Sequence, residues 1–177
     1  DVERAKQLVA EAGYPDGVDV TMRIISASNY SKPAEVVQAQ LKEIGINVSI
    51  EAMERASWFD ICYTGGDFDI TIYANPVQVI DADFGAYPFM HSSEANGGNN
   101  YMGINIPELD DLLDRARLST DEEERKELYL QVCEIVRDES LFVPMYTGER
   151  TYAAVKELQG VHADPMVRYY TYGYSWE

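Results

Sequence analysis

The segment Asp1-Val2-Glu3-Arg4-Ala5-Lys6-Gln7-Leu8-Val9-Ala10-Glu11-Ala12-Gly13-Tyr14-Pro15-Asp16-Gly17-Val18-Asp19-Val20-Thr21-Met22-Arg23-Ile24 decides the fold class, because its hydrophobic period changes halfway. Ala5, Leu8, Val9 and Ala12 recur at i, i+3, i+4 and i+7, Asp1 stands at an N-cap position, and Gly13 falls where a helix-ending glycine belongs. This predicts a helix over 2–12. Pro15-Asp16-Gly17 is a turn, after which Val18, Val20, Met22 and Ile24 alternate with Asp19, Thr21 and Arg23 as in a half-buried strand. A second helix and strand follow, without any internal sequence repeat. A helix over 33–44 follows Ser31, carries Val37, Leu41 and Ile44 on one face and stops at Gly45, and Ile46, Val48, Ile50 and Ala52 alternate after it. A short helix over 57–64, capped by Ser57, leads through Gly65-Gly66-Asp67 to a third strand with Phe68, Ile70, Ile72 and Ala74 on one face. Strands alternating with helices predict an α/β fold with parallel neighbours and right-handed crossovers.

Outward from this core the pattern changes. Residues 75–106 contain Pro76, Gly85, Pro88, Gly97 and Gly98 with no sustained period, which predicts irregular chain with one helical turn near 81–87. Long irregular segments inside compact domains are often functional. Two helices are expected next. One spans 107–118, with Pro107 in its first turn and Leu109, Leu112, Leu113 and Ala116 on one face. The other spans 121–138, with a Thr120–Glu123 capping box, a Glu122–Lys126 pair, and Leu128, Val132 and Ile135 inward. A strand over 141–147 and an extended segment over 151–156 precede the aromatic tail Tyr169–Trp176.

The chain has 177 residues, enough for one domain with its own core, and 46% hydrophobic content argues for a globular protein. Its 31 acidic against 14 basic residues give a net charge of −17, which disfavours nucleic acid and anionic membrane as partners. That acidity reads either as a solubility trait or as a preference for cationic ligands. Cys62 and Cys133 are too few for a disulfide framework, and each falls in an apolar helical pattern, which predicts two buried free thiols. The sequence holds no signal peptide, lipobox cysteine or long apolar run. Opening on Asp1 without an initiator Met, it is expected to be a stretch from within a secreted protein.

The sequence carries no phosphate-binding, zinc-protease or serine-nucleophile motif. No catalytic residue, metal site or cofactor is assigned. His91 and His162 are far apart, and His91 reads either as a surface loop residue or as a ligand contact or metal ligand. What rises above background is Tyr73-Ala74-Asn75-Pro76-Val77-Gln78-Val79-Ile80-Asp81-Ala82-Asp83-Phe84, which leaves the carboxyl end of the third strand. Ligands of open α/β sheets sit at that edge. Asp81 and Asp83 can neutralise a ligand cation such as an α-amino group, or they can serve as the N-cap and first-turn carboxylate of a short helix. The two roles are compatible. Asn99-Asn100-Tyr101 is a second polar-aromatic cluster, equally readable as a turn.

Five passages carry a family resemblance. The helix ending in Ala12-Gly13-Tyr14, the run Val37-Gln38-Ala39-Gln40-Leu41-Lys42-Glu43-Ile44-Gly45-Ile46-Asn47-Val48, and Tyr101 through Leu113 with Asp110, Asp111 and Leu112 are the first three. Glu124, Arg125 and Tyr129, then Val143-Pro144-Met145-Tyr146, complete the set. In this order they resemble the extracellular solute-binding proteins of ABC importers in the peptide/nickel class, family 5. The resemblance implies an α/β, periplasmic-binding-protein-like lobe, a mixed sheet with helices on both faces. It implies that residues 1–177 are a single C-terminal lobe of a two-lobed clamshell, with an N-terminal lobe outside this chain.

It further implies a non-enzymatic protein that captures an extracellular solute, foremost an oligopeptide or dipeptide, and delivers it to the membrane subunits of an ABC permease. Location would be extracellular or periplasmic, anchored as a lipoprotein. By position Asp81, with Asp83 as alternate, matches the family's ligand-holding aspartate, and Tyr73, Asn75, Tyr101 and Trp58 are the expected cleft contacts. The sequence departs from the family in having Tyr73 where Trp is frequent and Ala82 rather than Pro after Asp81. Relatives of this class bind nickel complexes, sugars and other solutes on the same scaffold. Two other classes are compatible with the residues: an acidic secreted hydrolase or accessory domain using paired carboxylates, and a cell-surface adhesion or signalling module.

Overall fold

A computed structural model of the protein describes residues 1–74, 79–95, 98–148, 151–162, 164 and 170–177. They belong to two compact units, Asp1–Asn75 with Phe89–Asn105, and Pro76–Pro88 with Ile106–Glu177.

In the first unit, α1 (Val2–Glu11) starts at Asp1, whose Oδ1 accepts from the Arg4 N–H at 2.9 Å. After it come β1 (Val18–Ile25), α2 (Ser28–Glu43), β2 (Ile46–Met53), α3 (Arg55–Trp58), a π-helical turn over Phe59–Thr64, and β3 (Ile70–Thr71). The sheet order is β2-β1-β3 and every pairing is parallel, as the repeated helix–glycine–strand pattern predicts. Two glycines set the register. Gly17 (φ +93°) and Gly45 (φ +87°) lie back to back where β1 and β2 begin, and a Cβ on Gly17 would stand 2.6 Å from the Gly45 carbonyl oxygen. That oxygen accepts from the Val18 N–H at 2.9 Å, so Val18 pairs with Ile46 and the ladder runs on to Ile25 and Met53.

The alternation then sorts the two faces. Met22 and Ile24 of β1 and Val48 of β2 are buried in one core with Tyr30 and Ala34 of α2. The other parity carries polar cross-strand pairs, Asn47 to Asp19 at 2.9 Å and Arg23 to Glu51 at 3.0 Å. Apolar contact on one side and paired charges on the other fix which face is covered.

Three boundaries differ from expectation. α2 begins at Ser28, with Pro33 inside it, because burying Tyr30 requires the extra turn before the proline. The ladder of β3 is only two residues long, because the Asp69 carboxylate accepts from the Thr21 N–H at 2.8 Å where a backbone carbonyl would continue it. The expected helix over 57–64 starts instead at Arg55 and widens into a π turn. On α1, Ala5 and Val9 are half-buried, whereas Leu8 is exposed.

In the second unit, α5 (Pro107–Leu118) and α6 (Glu122–Asp138) pair through Leu109, Leu112, Leu113, Ala116, Leu128 and Val132, all buried. The capping box lies one residue later than expected. Asp121, not Thr120, is the N-cap and accepts from the Glu124 N–H at 2.9 Å, while Ser119 Oγ donates to the Glu124 carboxylate at 2.6 Å. Lys126 pairs with Glu123 at 3.6 Å rather than with Glu122. α4 (Ala82–Met90) is longer than the predicted turn, and its last two residues belong to the first unit.

Residues 141–148 and 151–155 form no ladder, in contrast to the predicted strand and extended segment. Val143 is 83% exposed, so that stretch has no sheet to pack on among the described residues. The paired segments are β4 (Leu158–Gln159) and β5 (Ser175–Trp176), antiparallel, with Leu158 opposite Trp176. Both cysteines are free, but Cys133 is exposed, contrary to expectation. Leu128 and Val132 face inward one helical turn apart, and the next residue is rotated about 100° away from them. No described helix is long and apolar enough to cross a membrane.

Candidate functional site

The carboxyl ends of the three parallel strands share one edge of the first unit, and aromatic side chains converge there. α3 follows β2 and presents Trp58, and Tyr73 lies two residues beyond β3. Their rings stack at 4.8 Å with an interplanar angle of 16°. Trp58 is fully buried, its indole N–H donating to Thr71 Oγ1 at 3.1 Å and lying 3.3 Å from the Arg23 carbonyl oxygen. Tyr101 stacks on Tyr63 at 4.9 Å and meets Trp58 edge-on at 6.2 Å. Phe59 sits edge-on to Trp58 at 5.3 Å, and Phe68 lies 6.0 Å from Tyr101. Ring pairs of this kind contribute about 0.5–1.5 kcal/mol each beyond area burial.

Three of the predicted residues, Trp58, Tyr73 and Tyr101, are therefore brought into one cluster from three separate parts of the chain. Asn75 lies outside the described residues. Tyr101 is held in place by its neighbour. Asn100 is fully buried, its amide nitrogen donating to the carbonyls of His91 (3.1 Å) and Ile104 (2.8 Å) and its oxygen accepting from the Ile104 N–H (3.0 Å). Asn99 accepts instead from the Tyr63 hydroxyl at 2.6 Å. His91 is buried rather than a surface loop residue, and its Nδ1 accepts from the Ser93 N–H at 3.1 Å as the cap of a short 3₁₀ turn.

Burial is the first cause that raises the Tyr63, Tyr73 and Tyr101 hydroxyls, and it pushes Tyr101 up to about 12. All three are neutral at physiological pH. The cluster is thus uncharged, with Trp58 buried at its centre and the half-buried Tyr63, Tyr73 and Tyr101 rings at its border.

Sequence reasoning missed Tyr63 and Phe59 as members. The signal was available in part, since Phe59 and Tyr63 are four apart and share one helical face. The π turn, with its i to i+5 period, is what brings Tyr63 beside Trp58 at 6.2 Å.

Asp81 and Asp83 belong to the second unit, and both are paired with arginine. Asp81 Oδ1 accepts from the Asp83 N–H and from Arg125, each at 2.8 Å. Asp83 takes a two-pronged bond from Arg117, at 3.0 Å from Nε and 2.9 Å from Nη2. The Arg117 guanidinium also lies 3.3 Å over the Tyr87 ring. The cap bond from Asp83 and then Arg125 hold the Asp81 carboxyl below its ordinary value. The cap and first-turn roles read from the sequence are both realised, each reinforced by an arginine from α5 or α6.

Among the described residues no group of three or more His, Cys, Asp or Glu could hold a metal ion. Two open depressions, about 630 Å³ over residues 151–162 and about 410 Å³ between the ends of α1 and α2, contain none of the predicted residues.

The sequence profile of the bacterial extracellular solute-binding proteins, family 5 Middle, matches residues 1–97. The chain is 34% identical to heme-binding protein A of Haemophilus influenzae over 152 residues, covering 82% of this chain and 27% of that protein. It superimposes on the dipeptide-binding protein from Pseudoalteromonas sp. SM9913 in complex with Met-Leu with a TM-score of 0.88 and 25% identity, over 100% of this chain and 36% of that one. The periplasmic binding protein DppA from Helicobacter pylori, in complex with the peptide STSA, aligns with a TM-score of 0.74 and 29% identity, over 81% and 28% of the two chains. The fold is thus that of the periplasmic binding proteins, and the chain spans about a third of the length of the curated relatives it matches. It belongs to the bacterial extracellular solute-binding proteins of family 5.

Proposed function

We propose that this chain is the C-terminal lobe of the substrate-binding component of an ABC importer. Outside the cell or in the periplasm it captures a small solute, foremost a di- or oligopeptide, and hands it to the permease. The observation that carries the reading is the convergence of Trp58, Tyr73 and Tyr101 at the carboxyl edge of a parallel sheet, the edge at which such sheets bind ligands. The relatives support a peptide without restricting the class, since one is named for heme and two hold peptides.

Asp81 is proposed to accept a ligand ammonium group through Oδ2, both of its contacts falling on Oδ1. Tyr73, Tyr101 and Asn75 are proposed as contacts, with the fully buried Trp58 backing the Tyr73 ring and Asp83 as the alternate carboxylate. No chemistry is performed on the solute. Membrane attachment through a lipid anchor and an N-terminal lobe are part of the same proposal.

The test is calorimetric titration of the complete two-lobed protein with a panel of di- to pentapeptides and hemin. Saturable one-to-one binding of a panel member is expected. A protein that binds none of them, yet turns over a glycoside or ester substrate, would be the acidic hydrolase instead.

A further inference from the structure

We infer that Gln38 guards the open edge of the sheet: its amide occupies the Val48 carbonyl and so keeps β2 from pairing with β2 of a second copy of this chain. β2 ends the order β2-β1-β3, and no strand flanks its other side among the described residues. The ladder dictates which backbone groups that side offers. The Val18 N–H donates to the Gly45 carbonyl at 2.9 Å and the Ser26 N–H to the Met53 carbonyl at 2.7 Å. Successive residues of a strand turn their backbone groups to opposite sides, so the odd-numbered residues of β2 bond to β1. The N–H and C=O groups of Ile46, Val48, Ile50 and Ala52 therefore point to the open edge.

An unpaired edge is a template for another strand, and folds blunt it with proline, lysine, a bulge or a covering side chain. β2 holds neither Pro nor Lys, and its register with β1 is unbroken over eight residues. Its one charge, Glu51, is tied to Arg23 at 3.0 Å. The strand is also self-complementary. In an antiparallel pair centred on Ser49, Val48 faces Ile50 of the second copy and Ile46 faces its Ala52, so all the outward groups exchange bonds. Asn47 then faces Glu51 of the second copy, and no like charges meet. What stands in the way is Gln38, half-buried on α2, whose Nε2 donates to the Val48 carbonyl at 2.7 Å. That carbonyl is the acceptor the second copy's Ile50 N–H needs, and the two-fold axis of such a pair blocks it in both copies at once.

Sedimentation velocity of the complete protein over a wide concentration range tests this with wild type, Gln38→Leu and Gln38→Ala, both replacements being strong helix formers without a donor. A fourth sample, Gln38→Leu/Ser49→Lys, sets like charges face to face across the two-fold axis. Pairing of wild type must break two Gln38 bonds, one per copy, so both single variants are expected to self-associate about five- to a hundredfold more tightly. The double variant is expected to return to wild-type behaviour. Single variants that associate no more than wild type overturn the inference. Association that Ser49→Lys leaves in place overturns it as well, because it then runs through another surface. Loss of the native far-UV circular dichroism in both single variants overturns it too, by making Gln38 a residue the fold requires rather than a guard.

Discussion

Replacing Asn100 by Ala isolates the element that places Tyr101 in the cluster. The side chain is fully buried and makes three hydrogen bonds, two from its amide nitrogen and one to its oxygen. Truncation strands the Ile104 N–H in a site where Ile104 is only 7% exposed, and it removes one partner from each of two carbonyls. A buried donor left unpaired costs about 1–3 kcal/mol, while the carbonyls, with a second lone pair, lose less. The sum is about 3 kcal/mol, a large share of the roughly 5–15 kcal/mol that holds a typical domain folded. For a chain of this size that corresponds to a fall in Tm of about 6–12 °C. Urea unfolding and thermal scans read the loss, and near-UV circular dichroism reads the Tyr63–Tyr101 stack. Asn99→Ala is the control, because it removes a single half-buried bond from the Tyr63 hydroxyl, worth about 1 kcal/mol. If Asn100→Ala costs no more than Asn99→Ala, the assignment of Asn100 as the buried staple is wrong.

Gly17→Ala is expected to cost about 2–3 kcal/mol in urea unfolding, since strain at φ +93° adds to a Cβ meeting the Gly45 oxygen at 2.6 Å; Gly13→Ala, at φ +97° in open space, should cost only about 1 kcal/mol. In the native protein a colorimetric thiol reagent should titrate Cys133 and spare Cys62, with Cys62 reacting only on unfolding; two fast-reacting thiols would contradict the packing around Trp58. The Asp81 carboxyl is held below its ordinary value, so its stabilising contribution is present above the unfolded carboxylate value of about 3.9 and is lost as pH falls through the lower folded value. Asp81→Asn should therefore lower the urea midpoint at pH 7, the gap to wild type should shrink as the pH falls below about 3.9, and a gap that persists unchanged in acid would rule out the ion pair as its source.

The first unit was readable wherever a local rule agreed with the packing. Helix, glycine and alternating strand recur twice in the sequence, and Gly17 against Gly45 turns that repetition into a parallel register. Reading failed where tertiary contacts overrode local signals. Pro33 looks like a helix start, but Tyr30 needs burial. Asp69 falls inside the predicted third strand, but its side chain takes the Thr21 N–H and ends the β3 ladder. At the site, Trp58, Tyr73 and Tyr101 are expected as cleft contacts, yet nothing in their spacing reports that they touch. Asn99 and Asn100 are indistinguishable in sequence and opposite in role. The arginine partners of Asp81 and Asp83 come from α5 and α6, 34 and 44 positions downstream, and no local pattern announces them.

The central claim is that the Tyr73–Tyr101 surface, backed by the buried Trp58, holds the solute. Calorimetric titration of the complete protein with its best peptide ligand, comparing wild type with Tyr73→Leu and Tyr101→Leu variants of unchanged far-UV circular dichroism, tests it most directly. The account predicts that each variant binds about two- to twelvefold more weakly, the loss of one aromatic contact. Affinities equal to wild type in both variants would contradict it.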